Sequence, residues 1–278
     1  MKKHRFILGI GSQRAGSTLL HGLLAQSSDV FMHPLKELHY FDTLHGYRSR
    51  DALKKYSVSQ LNREINRIVE ARSFEFMNDR YRCYLRSNRL LAWIEVEHIE
   101  YHDLFRPFLS RYRLLGEITP EYMLLNEDSM LKMREIIGAD AGIVLICRNP
   151  VDRLLSAAKL FSVYNNLNMD SPTANQWLQQ QLDQNTPWMQ AQDAYNDYAS
   201  ASERYARHFR HFVAIAYETL IADPLTAARQ LADGLAIRID ANRFAEGVHR
   251  VVNDLGDGVT WSEETRELAH IRYTANKK

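Results

Sequence analysis

The loop that follows the first strand-like segment constrains this chain more than any other feature. Two glycines are separated by four residues, in the run Gly11-Ser12-Gln13-Arg14-Ala15-Gly16-Ser17-Thr18. A strand-like run at residues 5–10 precedes the loop, and a helical pattern at residues 17–26 follows it. In that context the backbone N–H groups at the helix start can point at a bound anion. The segment therefore predicts a phosphate-binding loop between a buried strand and a helix.

The loop differs from the one that nucleotide kinases and GTPases use. Those proteins need a lysine directly after the second glycine, where it bridges the β- and γ-phosphates beside Mg²⁺. Here Ser17 occupies that position, and the cation is Arg14, two residues before Gly16. The sequence thus predicts phosphate binding without the arrangement that a kinase requires.

Composition limits the class of protein. The chain has 278 residues, 45% of them apolar, and a formal net charge of +1. We find no linker-like or repetitive stretch, so we expect a single domain over residues 1–278. The small net charge argues against nucleic acid or a membrane surface as the main partner. The only cysteines, Cys83 and Cys147, are expected to be reduced thiols.

The location of the protein is predicted from its apolar runs. The basic start of the chain precedes an apolar run of only residues 6–10, which is too short for a signal peptide. The sequence has no run of about 18 apolar residues, so it predicts no membrane span. A cytoplasmic location is therefore the expectation.

Strand and helix patterns alternate along the chain. We predict strands at residues 5–11, 30–32, 114–117, 141–147 and 212–217. We predict helices at residues 17–26, 51–72, 127–137, 151–161, 174–183, 188–209 and 224–234, and two helical pieces within 86–109. Strands separated by helices favour right-handed crossovers. The predicted fold is a three-layer α/β architecture with a central, mostly parallel sheet flanked by helices.

A second segment has the same order of strand, loop and helix as the segment around the loop 11–18. Arg148 follows a nearly all-apolar strand pattern, and Ser156 lies on the helix that begins after Pro150. Ligands of open α/β sheets bind at the carboxyl ends of strands, where a guanidinium and a hydroxyl can hold a phosphate. Two phosphate sites at two strand ends indicate a nucleotide phosphorylated at both ends of its ribose.

These motifs resemble those of the sulfotransferases that use 3′-phosphoadenosine 5′-phosphosulfate (PAPS). The loop 12–18 is similar to the 5′-phosphosulfate loop of that family, and Arg148 with Ser156 is similar to its 3′-phosphate site. Residues 34–42, which read P-L-K-E-L-H-Y-F-D, resemble a segment of the glycan-directed members. Residues 116–122 resemble a further G-E-x-(T/S)-P-x-Y segment. The order and approximate spacing of these motifs agree over residues 5–235.

The resemblance implies a donor, an acceptor class and a set of site residues. The donor would be PAPS, leaving adenosine 3′,5′-bisphosphate, and its contacts would come from Ser12, Gln13, Arg14, Ala15, Gly16, Ser17, Thr18, Arg148 and Ser156. Arg14 would stabilise the leaving phosphate, and Lys36 would bind it or the transferring sulfuryl group. Glu37 would be the base, with His39 as its assistant or alternative. The acceptor would be a hydroxyl or amine of a carbohydrate or glycoconjugate in preference to a small phenol or steroid. No metal is expected, since the site supplies its own cations.

Several alternatives remain open at this point. The chain could be a P-loop nucleotide or metabolite kinase, or a noncatalytic protein that binds a bisphosphate nucleotide. We find no glycine-rich basic segment near the C-terminus to close over the nucleotide, and the oligomeric state is not predicted. The stretch from Arg48 to Arg89 has eleven basic and five acidic residues. It is either a solvated helix surface or a rim that attracts an anionic ligand.

Overall fold

The computed structural model describes residues 4–167, 169–248 and 258–275. Its centre is a sheet of five strands in the order β2-β3-β1-β4-β5, and every neighbouring pair is parallel. The strands are β1 (Arg5–Gly11), β2 (Val30–Met32), β3 (Leu114–Ile118), β4 (Gly142–Cys147) and β5 (His211–Ala216). The predicted α/β fold with a central parallel sheet is therefore confirmed.

Thirteen α-helices lie in the described residues. They are α1 (Ser17–Leu24), α2 (Tyr40–Leu44), α3 (Arg50–Glu70), α4 (Asp79–Trp93), α5 (Glu127–Ile137), α6 (Pro150–Tyr164), α7 (Ser171–Gln184), α8 (Pro187–Asn196), α9 (Tyr198–His208), α10 (Tyr217–Ala222), α11 (Pro224–Leu235), α12 (Ala241–Val248) and α13 (Glu263–Ala275). Three 3₁₀ helices cover Val96–His98, Tyr101–Phe108 and Pro120–Leu124. Within the described residues, no helix is both long and apolar enough to cross a membrane.

Alternating side chains of β1 pack into two different cores. Phe6 and Leu8 belong to the core cluster that includes residues of α4, α5 and α9. Ile7 belongs to the cluster on the opposite face, with residues of α1, α11 and α12. Because successive side chains of a strand point to opposite faces, a strand covered on both faces must be apolar throughout. This burial on both faces explains the continuous apolar run from which β1 was predicted.

Two predicted helical regions differ from the structure. The single helix predicted at residues 188–209 is two helices, α8 and α9, which meet at Asp197. The Asp197 carboxylate accepts a hydrogen bond from the backbone N–H of Ser200 and caps α9. In the region 86–109, α4 continues to Trp93 and the rest forms two 3₁₀ helices, the second of which contains Pro107.

The strand order determines which loops become neighbours. The central strand β1 lies between β3 and β4, so the segments after these three strands leave the same edge of the sheet side by side. The segment after β2 joins them, because the backbone N–H of His33 donates to the carbonyl of Gly116 and that of Glu37 donates to Ile118. The four segments that carry the sequence motifs are thus brought to one edge.

Candidate active site

A cavity of about 1090 Å³ opens at the carboxyl edge of the sheet. Its wall combines the loop after β1, the segment after β2, the 3₁₀ helix after β3 and one face of α6. The predicted site residues that line it are Gln13, Arg14, Gly16, Ser17, Thr18, Lys36, Glu37, His39, Arg148 and Ser156. Ser12 and Ala15 are fully buried, and the Ser12 hydroxyl donates to the carbonyl of Tyr195 at 2.7 Å. Ser12 therefore anchors the loop through its side chain.

Gly16 forms the junction between the loop and α1. Its φ is 98°, and a Cβ at this position would lie 2.6 Å from the ring of Tyr217. Only glycine fits both the backbone conformation and the ring. The first N–H groups of α1 have no partner within the helix, and Gly16 has no side chain to cap them. This end of α1 is therefore suited to an anion.

One side of the cavity is formed by Arg14, Arg148, Ser156 and Lys159, and we call it the basic side. The Nε of Arg14 donates to the Ser156 hydroxyl at 3.0 Å, and Arg148 donates to the carbonyl of Arg14 at 2.9 Å. The Arg148 guanidinium also lies over the ring of Tyr217, 4.7 Å from its centroid. Burial lowers the pKa of Arg14, and the charge of Arg148 lowers it further. Two guanidinium groups are thus held close together, an arrangement that a bound anion would stabilise.

A second side of the cavity is formed by Lys36, Glu37, His39 and Glu121. Together with Asp42, which is fully buried and hydrogen-bonded to His39, we call it the acidic side. Glu37 accepts from Lys36 at 2.5 Å through one oxygen, and its other oxygen lies 3.5 Å from His39 Nε2. The Nδ1 of His39 donates to the buried Asp42 carboxylate at 2.7 Å. A chain of alternating charges therefore runs from the cavity into the core.

These contacts change the proton affinities of both central groups. Burial by itself lowers the pKa of His39, but its hydrogen bonds to Asp42 and Glu37 and the charge of Glu121 raise it to about 10. Burial raises the pKa of Glu37, but the hydrogen bond from His39 and the charge of Lys36 outweigh it and lower the pKa to about 2. At neutral pH, His39 is an imidazolium ion and Glu37 is a carboxylate.

The backbone is unusual at three of the four residues predicted to be catalytic. Arg14, Glu37 and His39 have φ values of 65°, 68° and 50°. Residues other than glycine rarely adopt this left-handed backbone conformation. Those that do adopt it cluster at functional sites. The sequence shows no signal for it.

Glu37, His39 and Glu121 also form a possible metal-binding group. Their candidate ligand atoms lie within 4.8 Å of one another. Both nitrogens of His39 already face carboxylates, and its raised pKa keeps a proton on the ring. Because a metal binds the neutral imidazole, the proton would have to leave first. The geometry is that of a hydrogen-bonded ion cluster.

The cavity includes residues that the sequence analysis did not assign to a site. Tyr217, which belongs to none of the predicted site motifs, contacts both Arg148 and the position of Gly16. Further lining residues come from distant segments: Arg48, Tyr56, Glu121, Lys159, Tyr164, Trp261 and Arg266. Lys159 could have been predicted from the sequence as a site residue, because it lies three residues after Ser156 on the same helix face.

The basic stretch from Arg48 to Arg89 is mostly engaged elsewhere. Arg67 and Arg80 lie over the rings of Phe76 and Phe31, and Arg50 pairs with Glu97. Among the described lining residues of the cavity, Arg48 is the only basic residue that comes from this stretch. The arrangement favours a structural and solvated surface over an anion-attracting rim.

Comparisons with known proteins agree with this fold. The sequence model of the sulfotransferase family matches residues 6–241. No curated protein sequence matches significantly. A solved sulfotransferase from Alicyclobacillus acidocaldarius has a TM-score of 0.58 and 18% identity, covering 99% of this chain and 93% of that one.

Two further solved structures are more distant. A sulfotransferase domain from the curacin biosynthetic pathway has a TM-score of 0.49 and 16% identity, covering 96% of this chain and 82% of that one. A sulfotransferase from Mycobacterium avium has a TM-score of 0.47 and 15% identity, covering 98% and 76%. The structural likeness at 18% identity concerns the fold alone. The family model, which spans well over half of the sequence, shows that the chain belongs to the sulfotransferase family.

Proposed function

We propose that the protein transfers a sulfuryl group from PAPS to a hydroxyl or amine of a carbohydrate or glycoconjugate. The observation that carries this proposal is the two-sided cavity. Its basic side offers an α1 N-terminus, two guanidinium groups and a hydroxyl to a bisphosphate nucleotide. Its acidic side offers a carboxylate that can take the proton of the acceptor. The resemblance of residues 34–42 to glycan-directed members supports the acceptor class.

The residues of the basic side fit a donor with two phosphate groups. Among the described residues, neither Arg14 nor Arg148 forms an ion pair with a carboxylate, so both are available to an external anion. Arg148 and Ser156 would hold the 3′-phosphate, and the loop 12–18 would hold the 5′-phosphosulfate. The contact between Arg14 and Ser156 would give way to contacts with the donor.

The reaction breaks the bond between the sulfuryl sulfur and the bridging oxygen of the donor. The acceptor oxygen or nitrogen forms the new bond to sulfur, and its proton passes to Glu37. Catalysis of such loose, in-line transfers comes from positioning and from stabilisation of developing charge. Arg14 and the N–H groups of the loop stabilise the negative charge that grows on the departing bisphosphate.

The ion cluster on the acidic side suggests how Glu37 becomes a base. A carboxylate with a pKa of about 2 has little affinity for a proton while Lys36 and His39 both contact it. A bound phosphosulfate would attract Lys36 away from Glu37, which raises the pKa of Glu37. His39 already carries its proton at neutral pH. It therefore orients Glu37 and leaves the role of base to that residue.

Calorimetry tests the donor assignment directly. We expect adenosine 3′,5′-bisphosphate to bind in the presence of a chelator, more tightly than either adenosine 5′-monophosphate or ATP with Mg²⁺. The reason is that the site has two groups of phosphate contacts and no lysine after Gly16. Tight binding confined to ATP with Mg²⁺ would favour a kinase. Bisphosphate binding without sulfuryl transfer from labelled PAPS, across a panel of saccharides, lipids and phenols, would favour the noncatalytic alternative.

A further inference from the structure

Glu121 is a second carboxylate on the acidic side that the proposed reaction does not use. It lies in the 3₁₀ helix that follows β3, and its side chain is 18% exposed and lines the cavity. One carboxylate oxygen accepts a long hydrogen bond of 3.5 Å from Gln13 in the loop. The other oxygen is buried and has no hydrogen-bond partner among the described residues. Glu121 is therefore a poorly satisfied anion at the cavity wall.

The surrounding charges do not compensate Glu121. His39 is the cation nearest to it, but the Nδ1 atom of His39 lies 3.8 Å from Glu121 and donates to Asp42 at 2.7 Å. Lys36 is paired with Glu37. Three carboxylates (Glu37, Asp42 and Glu121) thus share two cations on this side. Burial raises the pKa of Glu121; His39 opposes that effect, and the carboxylates of Glu37 and Asp42 add to it.

We infer that Glu121 binds a protonated amine of the acceptor, placed beside the group that reacts at Glu37. An ammonium group supplies both the missing positive charge and several hydrogen-bond donors. The candidate ligand atoms of Glu37 and Glu121 lie within 4.8 Å of each other. One small acceptor can therefore contact both carboxylates, with its reactive hydroxyl at Glu37 and an amine on the neighbouring carbon at Glu121. This inference rests on the proposed function and specifies its acceptor as an amino alcohol, such as an amino sugar.

Binding of two matched sugars tests the inference without requiring turnover. D-Glucosamine and D-glucose differ by one amine, and each is titrated by calorimetry into the full chain saturated with adenosine 3′,5′-bisphosphate. A charge-assisted hydrogen bond corresponds to about a ten- to hundredfold difference in affinity. We expect D-glucosamine to bind more tightly by about that factor, and Glu121→Gln to bring the ratio of the two affinities close to one.

A matched control is Glu70→Gln, which removes one negative charge from an exposed position on α3, away from the cavity. It should leave the ratio as in the wild type, and thermal melting checks that both variants are folded. Equal affinities for the two sugars in the wild type, or an unchanged ratio in Glu121→Gln, would overturn the inference. Thermal protection by Mg²⁺ or Mn²⁺ that Glu121→Gln abolishes would also overturn it, because the cluster would then bind a metal. If the bisphosphate itself does not bind, the proposed donor fails, and the sugar titration without it still tests Glu121.

Discussion

The two sides of the cavity differ in the partners of their charged side chains. On the basic side, Arg14 and Arg148 take a hydroxyl, a carbonyl and an aromatic ring as partners. On the acidic side, Glu37 and His39 are paired with opposite charges. The first side has an excess of positive charge that a ligand can neutralise. The second side is mostly neutralised within the protein, except at Glu121.

This difference in charge pairing suggests different roles for the two sides, donor binding for the basic side and transfer for the acidic side. Cations with uncharged partners can accept a polyanionic donor without first breaking an ion pair. A carboxylate held by Lys36 and His39 stays weakly basic until one of these contacts is loosened. We therefore expect variants of the basic side to weaken donor binding and variants of the acidic side to slow transfer. Three predictions test this division, from the largest expected effect to the smallest.

The largest effect is expected from Glu37→Gln, which keeps the shape of the side chain and removes its basicity. Turnover with labelled PAPS should fall by about 10²–10⁴-fold, as is typical of a lost acid–base group. The affinity for adenosine 3′,5′-bisphosphate should stay nearly the same, because Glu37 does not hold the donor. Glu70→Gln is the control for the loss of one charge. Near wild-type turnover of Glu37→Gln with a verified acceptor would contradict the assignment of the base.

Arg148→Ala should have a smaller effect, confined to binding. We expect adenosine 3′,5′-bisphosphate to bind about ten- to a hundredfold more weakly, since a hydrogen bond to a charged group contributes about 1.5–3 kcal/mol. Adenosine 5′-monophosphate, which lacks the 3′-phosphate, should lose much less affinity. Arg89→Ala removes an exposed arginine of α4 and serves as the control in calorimetry. Equal losses for the two nucleotides would mean that Arg148 does not bind the 3′-phosphate.

The smallest effect concerns stability and its dependence on pH. The pKa of His39 is raised from 6.5 to about 10, so the charged ring stabilises the fold fully below pH 6.5. That contribution is lost as the pH rises from 6.5 through 10. The melting temperature of the wild type should therefore exceed that of His39→Gln by less at pH 10 than at pH 6.5, by about 2–4 °C for each kcal/mol lost.

The exposed His270 of α13 provides the matched control for this measurement. His270→Gln should show no comparable change between the two pH values. A difference between wild type and His39→Gln that stays constant from pH 6.5 to pH 10 would show that the ring is not charged within its ion cluster. His39 would then again be available as a base.

Much of the fold could be predicted because apolar patterns report burial directly. All five strands were located, since a strand covered on both faces must be apolar, as β4 is. Helix limits were less predictable, because they depend on capping contacts. The division between α8 and α9 rests on the cap that Asp197 provides, and the pattern of residues 188–209 gives no apolar interruption there. Both described cysteines are free thiols, as predicted.

The candidate site was predictable only in part. Motifs adjacent in sequence, such as the loop 12–18, were found because their chemistry lies in neighbouring residues. Glu121 was included only as a position within the motif of residues 116–122, and no predicted site motif included Tyr217. What makes each of them part of the cavity is a contact with a residue about a hundred or more positions away: Gln13 for Glu121, and Gly16 for Tyr217. Spacing along the chain contains no information about such contacts.

The sequence by itself determined the parallel α/β sheet, the glycine-containing loop between β1 and α1, and the residues that carry charge. These follow from apolar periodicity, from the conformational freedom of glycine and from residue type, which are all local properties. Only the tertiary structure decided which charges compensate one another. Electrostatic interaction depends on distance and on exclusion of water, and folding sets both. For that reason the cavity has on one side two arginines without a carboxylate partner among the described residues and, on the other, a histidine that keeps its proton at neutral pH.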